Sequence, residues 1–486
     1  MASLMLVVVA GAAAEAPPPA EPIIHPVTTD HKALINGHTI AYQATFAESP
    51  LGNDPAHPVA TLSSTTYLRT DVPNVASRPI IFAFNGGPGA SSTPLHLHGL
   101  GPRRIVGPDQ GHKESYVADN PYSLIDVADL VFIDPVGTGL SRVLPGGDGH
   151  PFWSPDGDAK EVLGFIHQWL DKYHRERSPI YLVGESYGGY RLATMMKLLG
   201  DQRIQGLVLI SPELDPSASD EAKGNDQPYI SNLPTMAAAA WFHNKVDRRG
   251  LTLDAFVRHA EDFAAGEYAT ALQRGDTLAP ERLTDVARKL SGYIGLSVQQ
   301  IVTAHLRMSS EEYLNDLLAD KDLRLGRLDT RITGPLNART PKGIPTNDPS
   351  LVVSQNVGIT DHYFRSELSV PTSRRYIPVA FDVNAAWNWS DDKAGEQGWR
   401  FYVNGAPFIG AVATKQPQMK VLLVGGLFDM ATSWYGARYA INHAGIPTDR
   451  VTEVAFDAGH TVYESDDNLK RFSLLLHGFV EGKKNP

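Results

Sequence analysis

Six short runs along the chain are continuously apolar: Ile80–Phe84, Leu130–Ile133, Ile180–Val183, Leu207–Ile210, Val421–Val424 and Val454–Phe456. Most of them stop at Gly, Asp or Asn. Runs this short, without alternation, predict strands buried on both faces of a mainly parallel sheet. Between several of them the period becomes helical. After Asp156, residues Val162, Phe165, Ile166, Trp169 and Leu170 recur on one face, as a crossover helix requires. Alternating strand and helix predicts an α/β architecture. Upstream, Leu34–Ile40 reads as a hairpin, with Asn36-Gly37 supplying the two positive-φ turn positions.

The pattern changes between about 216 and 375. Leu251–Ala265, Pro280–Leu290 and Ser309–Leu318 have helical spacing, buried-strand runs are few, and strand signals resume after 415. This predicts a core formed by 31–215 and 376–486, interrupted by a helical insertion, 216–375, that caps the active site. At the N-terminus, the apolar run Leu4–Ala14 ends in Ala14-Glu15-Ala16 and is followed by Pro17-Pro18-Pro19. The run is too short to span a bilayer, which predicts a signal peptide over 1–16, a Pro-rich linker over 17–30, and a periplasmic or secreted protein.

Composition narrows the chemistry. A net charge of −11 and the absence of any Lys/Arg-rich block exclude nucleic acid and anionic membrane surfaces as partners. With 0 cysteines there is no disulfide, cysteine nucleophile or thiolate metal site. No later stretch is long and apolar enough for a transmembrane helix, so an integral membrane protein is not expected.

Gly184-Glu185-Ser186-Tyr187-Gly188 follows the run Ile180–Val183 and precedes a helical pattern over Tyr190–Leu199. Strand, tight turn and helix are the context of a nucleophile elbow, which identifies Ser186 as the candidate nucleophile of an α/β-hydrolase fold. A serine hydroxyl is un-ionised at neutral pH and needs a base. That fold places an acid and then a histidine on loops after later strands. Asp429 follows Val421–Val424, and His460 follows Val454–Phe456. His460 is therefore the expected base and Asp429 the residue that orients it; Asp457, on the same short loop as His460, is a rival acid. Phe84-Asn85-Gly86-Gly87-Pro88-Gly89 follows an early strand, so the N–H groups of Gly87 and Tyr187 are the expected oxyanion hole. Neither a P-loop nor a His-Glu-x-x-His zinc motif occurs, and no cofactor is implied.

Four motifs in this order resemble the serine carboxypeptidases, peptidase family S10: Asn85-Gly-Gly-Pro-Gly-Ala-Ser-Ser, Asp134-Pro-Val-Gly-Thr-Gly-Leu-Ser, Gly184-Glu-Ser-Tyr-Gly-Gly and Gly459-His460. Asp429-Met-Ala-Thr and Gly326–Arg331 look closest to the bacterial branch. The resemblance implies a serine-type carboxypeptidase in which Asn85, Gly86 and Glu185 hydrogen-bond the free C-terminal carboxylate of a peptide. A Glu meeting a carboxylate must be protonated, so a raised pKa is expected. The chain departs from the family in two places. The second Glu of the eukaryotic enzymes falls at Gly99, with His96 and His98 close by as substitute donors, and the family's usual cysteine is Ala90. The same three groups would serve an esterase, amidase or acyltransferase acting on small molecules, which stays open as the alternative. The expected partner is a peptide or another small acyl substrate.

Overall fold

The computed structural model describes residues 22–54, 56–108, 113–340, 344–351, 357–389 and 404–483. The expected signal peptide lies outside these residues. Nine strands form one sheet: β1 (Val27–Ile35), β2 (His38–Leu51), β3 (Ala60–Arg69), β4 (Ile80–Phe84), β7 (Asp129–Asp134), β8 (Ile180–Glu185), β9 (Gly206–Ile210), β12 (Lys420–Gly426) and β13 (Val451–Phe456). The small pairs β5 (Arg103–Val106) with β6 (Tyr116–Asp119), and β10 (Leu323–Leu325) with β11 (Thr333–Pro335), stand apart. The order in the large sheet is β1-β2-β3-β7-β4-β8-β9-β12-β13. The first three strands and the β3–β7 pair are antiparallel. From β7 to β13 every pair is parallel.

All six apolar runs lie in these strands, and β4, β7, β8 and β9 are buried along their whole length. Helices cover both faces, as a parallel sheet demands. Asp466–Glu481 packs on one face; Pro155–Tyr173, Tyr187–Leu198, Ala406–Lys415 and Trp434–Asn442 pack on the other. This is the α/β-hydrolase architecture. It brings the carboxyl ends of β4, β8, β12 and β13 to one edge, where ligands meet open α/β sheets.

The helices Gln227–Phe242, Leu253–Phe263 and Pro280–Ile294 build a separate apolar cluster that extends to Leu325 and includes Met430 from the loop after β12. Residues 357–370 do not belong to it. Tyr363, Phe364, Leu368 and Val370 are buried in the sheet's own core, and the Tyr363 hydroxyl lies 2.6 Å from that of Tyr67. They fall inside the range expected for the insertion, 216–375, whose bounds were set by where strand runs stop and resume and not by what the intervening residues pack against. The stretch read as a linker also differs: β1 begins at Val27, where each residue pairs with β2.

Candidate active site

Ser186 sits at φ 62°, ψ −129°, directly between β8 and the helix Tyr187–Leu198. Such a conformation is strained for a side-chain-bearing residue and persists only where neighbours impose it. Two close approaches do so. A Cβ on Gly184 would lie 2.4 Å from the Gly188 carbonyl oxygen, and one on Gly188 would lie 3.0 Å from the Phe84 carbonyl oxygen. The Ser186 amide donates to Ile210 O (2.9 Å), which ties the elbow to the neighbouring strand.

On the same edge, after β12 and β13, Asp429 Oδ2 lies 2.7 Å from His460 Nδ1. A carboxylate only accepts, so Nδ1 carries the proton and Nε2 is left as the acceptor. Asp429 is fully buried, and its Oδ1 accepts from the amides of Ala431 (2.8 Å) and Thr432 (3.2 Å). The Thr432 hydroxyl lies 2.8 Å from both Asp429 Oδ2 and Ser211 O. Burial disfavours a charge on His460, but the adjacent Asp429 carboxylate more than offsets this and holds the imidazole above its ordinary 6.5. Asp457 is exposed and faces Arg331 at 3.5 Å, so it is not the histidine's partner.

The stretch Gly326–Arg331 straps these two loops from outside the sheet. His460 N donates to Leu328 O (2.7 Å), Met430 N to Arg327 O (3.0 Å) and Thr330 N to Phe428 O (3.0 Å). On its other side His460 is held by Ser211 Oγ, which donates to its carbonyl (2.7 Å). Sequence reasoning singled out Gly326–Arg331 and Asp429–Thr432 as motifs without giving Leu328 or Thr432 a role.

The loop after β4 lies against the elbow. A Cβ on Gly86 would fall 2.4 Å from the Tyr187 amide nitrogen, so only glycine lets this backbone approach. Arg191, 0% exposed, clamps the contact: Nη1 donates to Asn85 O (2.6 Å) and Nε to Asp158 Oδ2 (2.6 Å). The Tyr187 hydroxyl donates to the same carboxylate (3.2 Å). Farther along the loop, Asp134 Oδ1 accepts from the amide and the hydroxyl of Ser92, both at 2.8 Å, which gives the Asp134 motif a structural role.

Glu185 is 3% exposed, and burial pushes its carboxyl up to about 7, against the opposing influence of His460 and of donors from Tyr463 and Asn85. Tyr463 Oη donates to Glu185 Oε2. His96 takes no part: its Nε2 pairs with Tyr67 Oη (2.6 Å) and its ring stacks on Phe132, where burial lowers it to about 3. Burial also lowers His98, to about 4. Beside the Asp429 loop lies a cavity of about 110 Å³ whose lining includes Glu213, Ser231, Arg327, Met430 and Thr432. Burial pushes Glu213 up to about 7. Among the described residues no cluster of three or more His, Asp or Glu could hold a metal, and no helix is long and apolar enough to cross a membrane.

An elbow serine, a carboxylate-bound histidine and an α/β-hydrolase sheet define the class to which this site's geometry is suited, the serine hydrolases. The family profile described as serine carboxypeptidase matches residues 67–468, and the chain belongs to that family. It is 29% identical over 185 residues to serine carboxypeptidase-like 17 of Arabidopsis thaliana, covering 34% of this chain and 42% of that one. It is 35% identical over 117 residues to the pheromone-processing carboxypeptidase kex1 of Sclerotinia sclerotiorum, covering 24% of this chain and 17% of that one. The matches therefore span less than half the length of these relatives. The prohormone-processing carboxypeptidase KEX1 of Saccharomyces cerevisiae has the same fold, with a TM-score of 0.54 at 16% identity over 90% of both chains.

Proposed function

We propose that this protein is a serine carboxypeptidase that releases the C-terminal residue of a peptide through an acyl-enzyme. Ser186 Oγ attacks the scissile carbonyl and its proton passes to His460 Nε2. Asp429 stabilises the resulting imidazolium, and the N–H groups of Gly87 and Tyr187 receive the oxyanion. The C–N bond then breaks as the leaving amine takes the proton from His460; a water deprotonated by His460 attacks the acyl-Ser186, the ester C–O bond breaks, and Ser186 Oγ recovers the proton from His460. Asn85, Gly86 and Glu185 hold the leaving residue's carboxylate.

The observation that carries this reading is Glu185, a carboxyl next to the nucleophile that burial keeps protonated well above pH 4.5. A neutral carboxyl can donate to an anionic substrate group; an ionised one repels it. The alternative, an esterase, amidase or acyltransferase for small molecules, is favoured by Gly99, which brings no second carboxyl to the site. Export to the periplasm or the medium belongs to the same proposal and rests on the apolar run Leu4–Ala14.

The test is amino-acid release from N-blocked dipeptides, as free acids and as amides, across pH 4 to 8. The proposal expects release from the acids, far less from the amides, and none with Ser186→Ala. Equal rates on acid and amide would remove the carboxylate site. Turnover of simple esters alone would move the protein to the alternative.

A further inference from the structure

The space beside Gly99 is filled by an aromatic ring. A Cβ on Gly99 would lie 3.3 Å from Cε2 of Tyr463. That ring is 1% exposed and stacks on Phe472 with centroids 5.5 Å apart, which leaves it no room to swing away. Its hydroxyl donates to Glu185 Oε2. Asn85 completes the group. Its Oδ1 accepts from Leu95 N (3.2 Å), which turns the side-chain NH2 toward Glu185 and Tyr463. Glu185 is thus met by two neutral donors where a second carboxyl would have met it with a shared proton.

We propose that Tyr463 is the positioning residue of the carboxylate site: its hydroxyl anchors Oε2 of Glu185, so that the other oxygen is presented to the substrate's terminal carboxylate. This inference rests on the carboxypeptidase reading above. The arrangement has its own chemistry. Two carboxyls in contact cannot both ionise, whereas a tyrosine beside a carboxyl stays a neutral donor, since burial pushes the Tyr463 phenol well above 10. A donor on Oε2 also favours the ionised form of Glu185 and so limits how far burial raises it. The other ionisable groups acting on Glu185 are His460 and Asp429, both of the candidate triad, and Glu464 acts on Tyr463.

Tyr463→Phe deletes one oxygen and keeps the ring against Gly99 and Phe472. The measurement is kcat and KM for an N-blocked dipeptide acid and for its methyl ester, from pH 5 to 9, with wild type, Tyr463→Phe, Glu185→Gln and the double variant. The expected result is a KM for the acid raised three- to tenfold at pH 5, a rise at least threefold larger than for the ester. The alkaline limb of kcat/KM for the acid moves up by about one pH unit, the size expected for losing one hydrogen bond to a charged group. In the Glu185→Gln background, Tyr463→Phe changes KM by less than twofold, because the partner through which it acts is gone. If wild type prefers acid to ester but the limb and KM stay put in Tyr463→Phe, or the losses add in the double variant, the inference is overturned and the carboxypeptidase reading stands. If wild type shows no such preference, both fall together.

Discussion

Glu185→Gln tests the electrostatics of the site without reference to any substrate. In the unfolded chain Glu185 titrates near 4.5, and in the folded protein near 7. The sign follows from these values. Below 4.5 both states hold the proton and the burial of Glu185 carries no ionisation cost. Between 4.5 and 7 the unfolded state releases the proton while the folded state keeps it, so stability falls as pH rises; above 7 the full cost is present. At 1.36 kcal/mol per pH unit the total is about 3 kcal/mol, of which roughly 2.5 kcal/mol falls between pH 5 and pH 8. Gln keeps an oxygen for the Tyr463 hydroxyl but never ionises. Relative to wild type, the variant gains about 2.5 kcal/mol of stability on going from pH 5 to pH 8, or ~2 °C in midpoint for a domain of this size. Paired urea and thermal melts at the two pH values measure it. Glu161 and Glu213, whose carboxyls are also raised by burial, contribute equally to both proteins and cancel in the difference. A variant-minus-wild-type difference that is the same at pH 5 and pH 8 would refute the reasoning, because it would mean that Glu185 ionises in the folded protein as readily as in water.

Thr432→Val removes the hydroxyl 2.8 Å from Asp429 Oδ2, and kcat falls about tenfold with KM little changed, as steady-state kinetics on a chromogenic ester would show. Arg191→Ala leaves Asp158 buried without its cation and frees the Asn85 carbonyl, which costs about 3–5 kcal/mol in urea unfolding; a loss below 1 kcal/mol would show that the clamp carries little. Gly459→Ala sets a methyl 2.5 Å from Asp329 Cβ and 2.6 Å from Leu328 O. That displaces the strap from His460, and the folded variant loses at least tenfold in kcat; full activity would show that the strap is dispensable.

The parallel half of the sheet was legible because its central strands are buried on both faces and therefore uninterrupted: Ile80–Phe84 is β4 from end to end. The turn was legible for a different reason, since few pairs other than Asn36-Gly37 accept φ 48° and 78° in succession. Strand β3 was hidden. Its sequence, ATLSSTTYLR, is buried over most of its length yet polar, because Ser63 is met by the Ser141 hydroxyl (2.9 Å) and Thr61 by Glu48 (3.3 Å). Hydropathy cannot find a strand whose burial depends on side-chain partners from other segments. The site divides in the same way. Ser186, Asp429 and His460 each stand at a strand end that a local pattern marks, whereas the Tyr463–Glu185 and Arg191–Asn85 contacts join residues 278 and 106 positions apart, and no local signal announces such pairings.

The strap from 326 to 331 ties His460, the proposed base, to a part of the molecule outside the sheet. The His460 amide finds its acceptor on Leu328, and Met430, the neighbour of Asp429, is buried in the apolar cluster of the helices Gln227–Phe242, Leu253–Phe263 and Pro280–Ile294. A chain whose helical layer has locally opened keeps a formed sheet and an elbow serine but loses the Leu328 acceptor that helps to fix the histidine. Hydrolytic competence is then sensitive to any loosening of that layer. Active-site labelling thereby reports on the integrity of the helical layer.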